Sequence, residues 1–186
     1  MPRVRQRRSP RERSLGRVPR TALIVAVPEA EALVGEWRAK HDWSAQHGVP
    51  AHITVLFPFV PAEEVDAQLL GDLRDLFASQ SAFTYRLPRV DRFPEVAWLT
   101  PEPPEPFTHL IELIASRYPD YPPYEGAHDE VIAHLTIAEG GAELQDEVDA
   151  ALTPSLPIEA EAREVTMIVE DESGQWHTGE RFPLLT

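Results

Sequence analysis

Two short motifs each place a histidine two residues before a threonine within an otherwise apolar segment. The segment AHITVLFPF contributes His52 and Thr54, and the segment AHLTIA contributes His134 and Thr136. Because side chains i and i+2 share one face of a β-strand, each motif would present an imidazole and a hydroxyl side by side. A single strand of this kind is more often structural, whereas two matching strands indicate a shared site.

Two imidazoles that face one another suit a reaction in which one proton is removed and another is donated. Phosphodiester cleavage is such a reaction, because a base deprotonates the attacking water or hydroxyl while an acid protonates the departing oxygen. The ordinary histidine pKa of about 6.5 allows one ring to be neutral while the other is charged at neutral pH. Threonine hydroxyls can donate to phosphate oxygens. We therefore expect His52 and His134 to be catalytic and Thr54 and Thr136 to bind phosphate, with no metal or other cofactor required.

The other residues of each motif strand are expected to alternate between the motif face and an apolar back. Strict alternation places Leu56 on the motif face and Phe57 on the back of the first strand. In the second strand it places Ala138 on the motif face. The apolar backs can then pack against helices.

The segment YPDYPPYEGAHDE, just before the second motif, has the composition of a long loop and offers two further kinds of group. Tyr118, Tyr121 and Tyr124 can either anchor the loop or stack on a nucleobase, and Tyr124 is the candidate for stacking. His128 and Asp129 can be invoked as metal ligands beside the motif histidines. Two histidines without an evident third ligand nevertheless fall short of a catalytic zinc set, so we expect no metal site.

Hydrophobic periodicity predicts the elements that position the motifs. The predicted helices span residues 29–46, 62–78, 105–117 and 142–152, and the predicted strands span 21–27, 51–57, 83–90, 96–100, 131–138, 156–162, 164–170 and 175–182. The order helix, His-bearing strand, helix, strand, strand occurs twice. We therefore expect two lobes, formed from residues of about 21–100 and 105–182 and related by a pseudo-twofold axis, with the motif strands on either side of a cleft.

Charge is distributed very unevenly along the 186 residues. Residues 1–20 hold eight arginines and one glutamate, a net charge of +7, which leaves −21 on the rest of a chain whose formal charge is −14. This tail has few apolar residues and is predicted to be disordered. It is either a tether for nucleic acid, a solvated extension, or the product of a translation start placed too early.

Composition also excludes several classes of protein. The chain has no cysteine, so a disulfide framework, a thiolate metal site and a thiol nucleophile are excluded. No apolar run approaches the 18 or so residues of a membrane span, and the N-terminus lacks the apolar core of a secretory signal. We expect a cytoplasmic protein with one folded domain, residues 21–186, without a membrane partner.

The paired motifs resemble the HxT motifs of the two-histidine (2H) phosphoesterase superfamily, and the branch of 2'-5' RNA ligase-like proteins in particular. The resemblance covers residues of about 21–182. It implies an α+β fold in which two antiparallel sheets flanked by helices enclose a central groove. It also implies that His52 is the proton donor, that His134 is the proton acceptor, and that the two threonines hold the phosphate. In this sequence Ala133 stands where a proline often precedes the second motif.

The activity implied by the resemblance is metal-independent hydrolysis of 2',3'-cyclic phosphates of nucleotides or RNA ends, with the reverse 2'-5' RNA ligation as a further activity. The alternative is a non-catalytic nucleotide- or RNA-binding module of the same fold. A pair of titrating groups favours the enzyme, because binding alone does not need both. Without a long heptad pattern or an exposed apolar stripe, the chain is expected to be a monomer. The acidic body argues against tight binding of long RNA, which leaves the Arg-rich tail as the candidate contact for a polymer.

Overall fold

A computed structural model describes residues 18–127 and 131–186 of the chain. These residues form both α-helices and β-strands. The elements are β1 (Thr21–Ala26), α1 (Pro28–His41), α2 (Trp43–Gln46), β2 (His52–Leu56), α3 (Ala67–Ala78), β3 (Phe83–Leu87), β4 (Val90–Phe93), β5 (Val96–Leu99), α4 (Glu105–Arg117), β6 (Leu135–Glu139), α5 (Ala142–Leu152), β7 (Ile158–Ala162), β8 (Glu164–Glu170) and β9 (Trp176–Pro183).

The strands form antiparallel sheets, which confirms the predicted α+β class. Sheet A has the strand order β2-β1-β8-β9, and sheet B has the order β4-β5-β6. A third, two-stranded sheet pairs β3 with β7. Each motif strand, β2 or β6, lies at an edge of its sheet, and the two strands contact each other.

A repeat of six elements accounts for this topology. The unit strand, helix, motif strand, helix, strand, strand occurs first as β1, α1, β2, α3, β3 and β4, and then as β5, α4, β6, α5, β7 and β8. The last strand of each unit pairs with the first strand of the other, because β8 joins β1 and β4 joins β5. The sheets therefore draw on both halves of the chain, and the predicted lobes of about 21–100 and 105–182 are wrong.

The helices next to the motif strands also cross between the units. Helix α1 packs against β6 of the second unit, while α4 packs against β2 of the first. The apolar backs of both motif strands lie in the main hydrophobic core, with Ile53, Leu135 and Ile137 fully buried. No helix in the described part of the chain is long and apolar enough to cross a membrane.

The folded body begins slightly before the predicted end of the tail. Residues 1–17, most of the predicted tail, lie outside the described residues. Arg20, which was assigned to the tail, instead donates from Nε to Glu170 Oε2 at 2.8 Å, and its guanidinium lies 5.0 Å from the ring centroid of Phe57. The backbone also forms a bridge between Arg20 and Pro61.

Several predicted elements have different bounds in the structure, and the predicted helix 62–78 begins as an α-helix only at Ala67. The predicted helix 29–46 breaks at Asp42, whose backbone is extended and whose carboxylate caps α2 by accepting from Ser44 N at 2.8 Å. The predicted strand 83–90 ends at Leu87, and β4 begins at Val90 as a separate strand of sheet B. The second motif strand begins at Leu135, one residue after its histidine.

Candidate active site

The two motif histidines lie at the starts of the edge strands β2 and β6, which contact each other, and we call the surface between the two motifs the groove. His52 is the first residue of β2, and His134 immediately precedes β6. Both side chains are half-buried. The charge of His134 contributes to lowering the pKa of His52, so the two imidazoles interact electrostatically. The structure thus brings together two groups that are far apart in the sequence.

The backbone orients both imidazoles in the same way. Nδ1 of His52 lies 2.8 Å from the carbonyl oxygen of Pro50, and Nδ1 of His134 lies 2.7 Å from the carbonyl oxygen of Ile132. A carbonyl oxygen can only accept, so Nδ1 carries the proton in each ring. The remaining nitrogen, Nε2, is therefore the position at which each ring can gain or lose a proton.

Burial and neighbouring charges lower the pKa of His52 to about 4. Desolvation is the main cause, and the positive charge of Arg38 adds to it. The hydrogen bond to Pro50 and the negative charge of Asp42 act in the opposite direction. With this pKa, His52 is neutral at pH 7.

Arg38 is a buried charge close to His52 that the sequence pattern did not single out. Its side chain is 2% exposed and donates to Asp42 Oδ2 at 3.0 Å, Ser44 Oγ at 3.1 Å and the Val49 carbonyl at 3.3 Å. These contacts fix the segment that leads to the carbonyl holding His52. The spacing of Arg38 and Asp42, four residues apart on a predicted helix with an apolar stripe, was the available signal for a buried ion pair.

His134 sits among aromatic side chains. Its ring makes edge-to-face contacts with Phe93 at 5.3 Å and Trp98 at 5.6 Å between centroids, and these two rings stack on each other at 4.7 Å. Desolvation in this surrounding lowers the pKa of His134, and the hydrogen bond to Ile132 partly opposes the shift. Phe93 belongs to β4, a strand that periodicity alone did not separate from β3.

Both threonines lie beside their histidines, as the strand period predicts. Thr54 and Thr136 are half-buried, while the residues between them and the histidines are fully buried on the other face. The hydroxyl of Thr54 hydrogen-bonds to the phenol of Tyr124, and this contact acts to lower the pKa of Tyr124. Burial nevertheless keeps the pKa of Tyr124 above its ordinary value.

For the residues that follow each threonine, the predicted side of the strand is wrong, because both motif strands carry a β-bulge. In β2 the register shifts after Thr54, and in β6 it shifts after Thr136. Each bulge inserts one extra residue and reverses the alternation. Leu56 and Ala138, expected beside the motif side chains, therefore lie in the main core.

The bulges bring two unexpected side chains to the motif faces. Phe57 joins a small apolar cluster on the motif face of sheet A, where its ring meets Trp176 edge-on at 5.9 Å. Glu139, at the equivalent position of the second motif, lines a cavity together with His134 and Thr136. The two halves of the groove thus differ at matched positions, one apolar and one acidic.

Tyr124 reaches the groove through an unusual backbone conformation. Tyr124 and Glu125 have φ values of 51° and 56°, in the left-handed region that residues other than glycine seldom occupy. The amide of Tyr124 donates to the Phe57 carbonyl at 2.6 Å. Phe59 is in edge-to-face contact with Tyr118 and Tyr121, at 5.2 Å and 5.7 Å, so these two anchor the loop. Tyr124 instead faces the cavity.

The cavity beside His134 has a volume of about 620 Å³, within the range of small-molecule sites. Its walls are mainly apolar, and its polar groups are at His134, Thr136, Glu139 and Tyr124. The lining residues are Phe93, Pro94, Val96, Tyr124, Val131, Ile132, His134, Thr136 and Glu139.

A second cavity, of about 750 Å³, lies on the motif face of sheet A. It is lined by Ile24 and Ala26, the cross-strand partners of Thr54 and His52. Its cations are already paired, because Arg163 contacts Glu161 at 2.6 Å and Arg181 contacts Glu164 at 3.4 Å.

A family model described as the 2'-5' RNA ligase superfamily matches residues 26–174, a span that includes both motifs. The chain belongs to the 2'-5' RNA ligase superfamily. Within this superfamily of two-histidine phosphoesterases, the paired motifs are the feature by which the sequence resembled the family.

Solved structures share the fold of this 2'-5' RNA ligase superfamily member. Escherichia coli LigT in complex with 3'-AMP is 20% identical, with a TM-score of 0.58 over 90% of this chain and 98% of that chain. LigT in complex with NADP+ is 21% identical, with a TM-score of 0.56 over 92% and 100%. The Thermus thermophilus protein TT0787 is 21% identical, with a TM-score of 0.58 over 89% and 97%. A comparison with curated proteins gave no significant sequence match.

A metal site would combine the motif histidines, which the structure describes, with further ligands from the loop before the second motif. His128 and Asp129, the further ligands considered, lie outside the described residues. Among residues 18–127 and 131–186, no group of three or more His, Asp or Glu side chains is arranged to hold a metal ion.

Proposed function

We propose that the protein is a metal-independent phosphodiesterase that opens 2',3'-cyclic phosphates of nucleotides or RNA ends. The observation that carries this proposal is the matched pair of imidazoles, each fixed through Nδ1 by a backbone carbonyl so that Nε2 is the free nitrogen. Two rings held in this way across one groove supply both halves of an acid–base reaction. Family membership supports the same class of chemistry.

In the proposed reaction, water attacks the cyclic phosphate while one imidazole takes a proton from it. The bond between phosphorus and one ribose oxygen breaks, and the other imidazole donates a proton to that departing oxygen. The product is a nucleoside or RNA end with one phosphate monoester and one free hydroxyl, and the resemblance implies the 2'-phosphate. The two proton transfers leave the pair of histidines with their protonation states exchanged, and solvent restores them.

The resemblance assigns the donor role to His52 and the acceptor role to His134. With a pKa of about 4, His52 needs a nearby negative charge to hold a proton at neutral pH. We propose that the bound cyclic phosphate supplies this charge, since an opposite charge within about 4–6 Å favours the protonated ring. Catalytic protonation of His52 is then coupled to substrate binding.

Thr54 and Thr136 are proposed to donate to the non-bridging phosphate oxygens, where charge accumulates in the transition state. A threonine has one O–H donor, and the hydroxyl of Thr54 is hydrogen-bonded to the phenol of Tyr124. When phosphate binds, the hydroxyl of Thr54 turns to it, and the phenol of Tyr124 can donate to Thr54 in return. Tyr124 is also the proposed stacking surface for the base.

Nucleotide-sized substrates fit the proposal better than long RNA. LigT structures were obtained with 3'-AMP, NADP+ and ATP, and the cavity beside His134 has room for a nucleoside. The arginines of the second cavity are paired with glutamates, which weakens the case for a surface that binds successive phosphates of a longer RNA. A contact with longer RNA is proposed only through the Arg-rich residues 1–17, and it should disappear on their deletion or at high salt.

The proposal is tested by incubating the protein with the four 2',3'-cyclic mononucleotides and with RNA ending in a cyclic phosphate, all in EDTA. Phosphorus NMR should show conversion to a phosphate monoester in the presence of chelator and should identify which ribose oxygen keeps the phosphate. Activity that chelator abolishes would contradict the metal-independent scheme. Nucleotide binding without turnover would support the alternative of a non-catalytic binding module.

A further inference from the structure

The cavity beside His134 contains one carboxylate whose presence a phosphate site does not explain. Glu139 places a carboxylate in a groove proposed to bind an anion, and it reaches the motif face only because of the bulge after Thr136. At the matched position of the first motif stands Phe57, covered by the guanidinium of Arg20 and by Trp176. A carboxylate is therefore specific to one half of the groove and calls for a partner with N–H or O–H donors.

The carboxylate of Glu139 is held in place by the backbone. It accepts a hydrogen bond from the amide of Trp43, at the start of α2. Desolvation, together with the nearby negative charge of Asp42, raises the pKa of Glu139. An ionised carboxylate offers about four acceptor positions, so one amide leaves most of its capacity available to a ligand.

The position of Glu139 relative to the motif matches the dimensions of a nucleoside. Thr136 and Glu139 pair with Trp98 and Val96, which are two residues apart on β5, so the bulge leaves a separation of roughly 7 Å along the strand. A phosphate held at Thr136 would thus lie one nucleoside away from the carboxylate. Between them the cavity wall is apolar and aromatic, with Phe93 and Tyr124 available to contact a flat ring.

We propose that this cavity binds the base of the cyclic nucleotide and that Glu139 selects guanine. Guanine alone among the four RNA bases presents two adjacent N–H donors, N1 and N2, on its Watson–Crick edge, and these match the two oxygens of a carboxylate. Adenine and cytosine each offer one amino group beside an unprotonated ring nitrogen that would face the carboxylate lone pairs, and uracil offers one imino group between two carbonyls. This inference rests on the proposed function for its substrate, and it adds the base preference.

The test compares kcat/KM for the four 2',3'-cyclic mononucleotides in wild type, Glu139→Gln and Glu147→Gln. Glu147→Gln is the matched control, because it makes the same change of charge at an exposed residue of α5 outside the cavity. Wild type and Glu147→Gln should favour guanine by about tenfold, a typical discrimination for a bidentate contact. Glu139→Gln should reduce the preference to less than about threefold, because one acceptor is replaced by a donor.

A wild-type preference below about threefold, or a preference that Glu139→Gln leaves unchanged within about a factor of two, would overturn the inference. Calorimetric binding of 3'-GMP and 3'-AMP provides a readout that needs no turnover. If no cyclic nucleotide is hydrolysed but 3'-GMP still binds more tightly and loses its advantage in Glu139→Gln, the proposed activity fails while the guanine site stands. Equal binding of 3'-GMP and 3'-AMP to wild type would remove the guanine site itself.

Discussion

At each motif histidine, a backbone carbonyl holds Nδ1 while the surroundings disfavour the charged ring. His52 and His134 therefore share a tautomer but differ in what lowers their pKa: burial reinforced by Arg38 for His52, and burial alone for His134. The two imidazoles are thus tuned toward their neutral forms. In the proposed reaction, the substrate phosphate favours protonation of His52 at neutral pH.

This tuning predicts a pH profile for kcat/KM that peaks on the acid side of about pH 6.5, the ordinary histidine value. The donor loses its proton as pH rises through a lowered pKa, so the rate falls on the alkaline side earlier than for ordinary histidines. The acceptor stays neutral to a lower pH, which extends activity on the acid side. Initial rates with a cyclic mononucleotide between about pH 4 and 9 measure the profile. A maximum above about pH 7.5 would contradict the lowered pKa values.

The hydroxyl of Thr136 should act on the transition state. Thr136→Ala should lower kcat about 10- to 1,000-fold, in line with the loss of one donor to a developing oxyanion, and Thr136→Ser should retain most of the rate. Steady-state kinetics on both variants separate loss of the hydroxyl from loss of the methyl group. Equal losses in Ala and Ser would instead indicate a packing role.

Among the elements, the segment between α1 and β2 bears most directly on the geometry of the site. The pair Arg38 and Asp42 is 2% exposed at both side chains and ties the end of α1 to Ser44 and to the Val49 carbonyl. The next residue, Pro50, supplies the carbonyl that orients His52. Stability and catalytic geometry are therefore linked in this segment.

Removing one partner of this buried pair should be costly. Arg38→Met should lower the free energy of unfolding by about 3–5 kcal/mol, because it leaves the Asp42 carboxylate buried without its partner. Arg74→Met is the matched control, since Arg74 pairs with Glu180 at the surface, where such pairs contribute about 0–1 kcal/mol. Urea unfolding of both variants measures the difference. Equal, small losses would show that the buried pair contributes no more than the exposed one.

Local sequence patterns predicted many of these elements because the signals that define a helix or a strand lie within the element and at its ends. The predicted bounds of 105–117, 142–152 and 164–170 agree with α4, α5 and β8, where apolar spacing and flanking breakers carry the signal. The bulges after the two threonines were missed because an apolar run such as VLF shows no change of face when one residue is inserted. The crosswise pairing of β8 with β1 was missed because strand partners are set by contacts between distant segments, which periodicity does not encode.

The residues of the candidate site likewise fall into those that local sequence patterns predict and those that only the tertiary structure brings close. His52, Thr54, His134 and Thr136 were predictable because type and spacing repeat. Other groups come close to the motif side chains through tertiary structure: Arg38 by helix packing, Phe93 and Trp98 by sheet B, and Glu139 by a bulge.

Over the whole molecule, the two units are interlocked. Sheet A needs β8 and β9 from the second half, and helices α1 and α4 each pack against the motif strand of the other unit. The groove is formed where the units meet. Neither half can therefore form its sheet or its half of the site independently.

The interlocked topology predicts that residues 18–186 unfold in one cooperative transition and that residues 18–100 alone do not fold. The fragment lacks β8, which lies beside β1 in sheet A, as well as α4 and β6. Far-UV circular dichroism with thermal melting tests both statements. A folded fragment with its own sharp transition would show that the first half is an independent lobe.

The central claim is that His52 and His134 act as one acid–base pair, and the most direct test is kcat/KM for a 2',3'-cyclic nucleotide in EDTA for His52→Ala and His134→Ala. The control is His109→Ala, because His109 is an exposed histidine of α4 whose ring contacts Gln80. Each motif variant should lose about 100- to 10,000-fold in kcat/KM while the control keeps the wild-type value. Wild-type activity in either motif variant would contradict the paired mechanism.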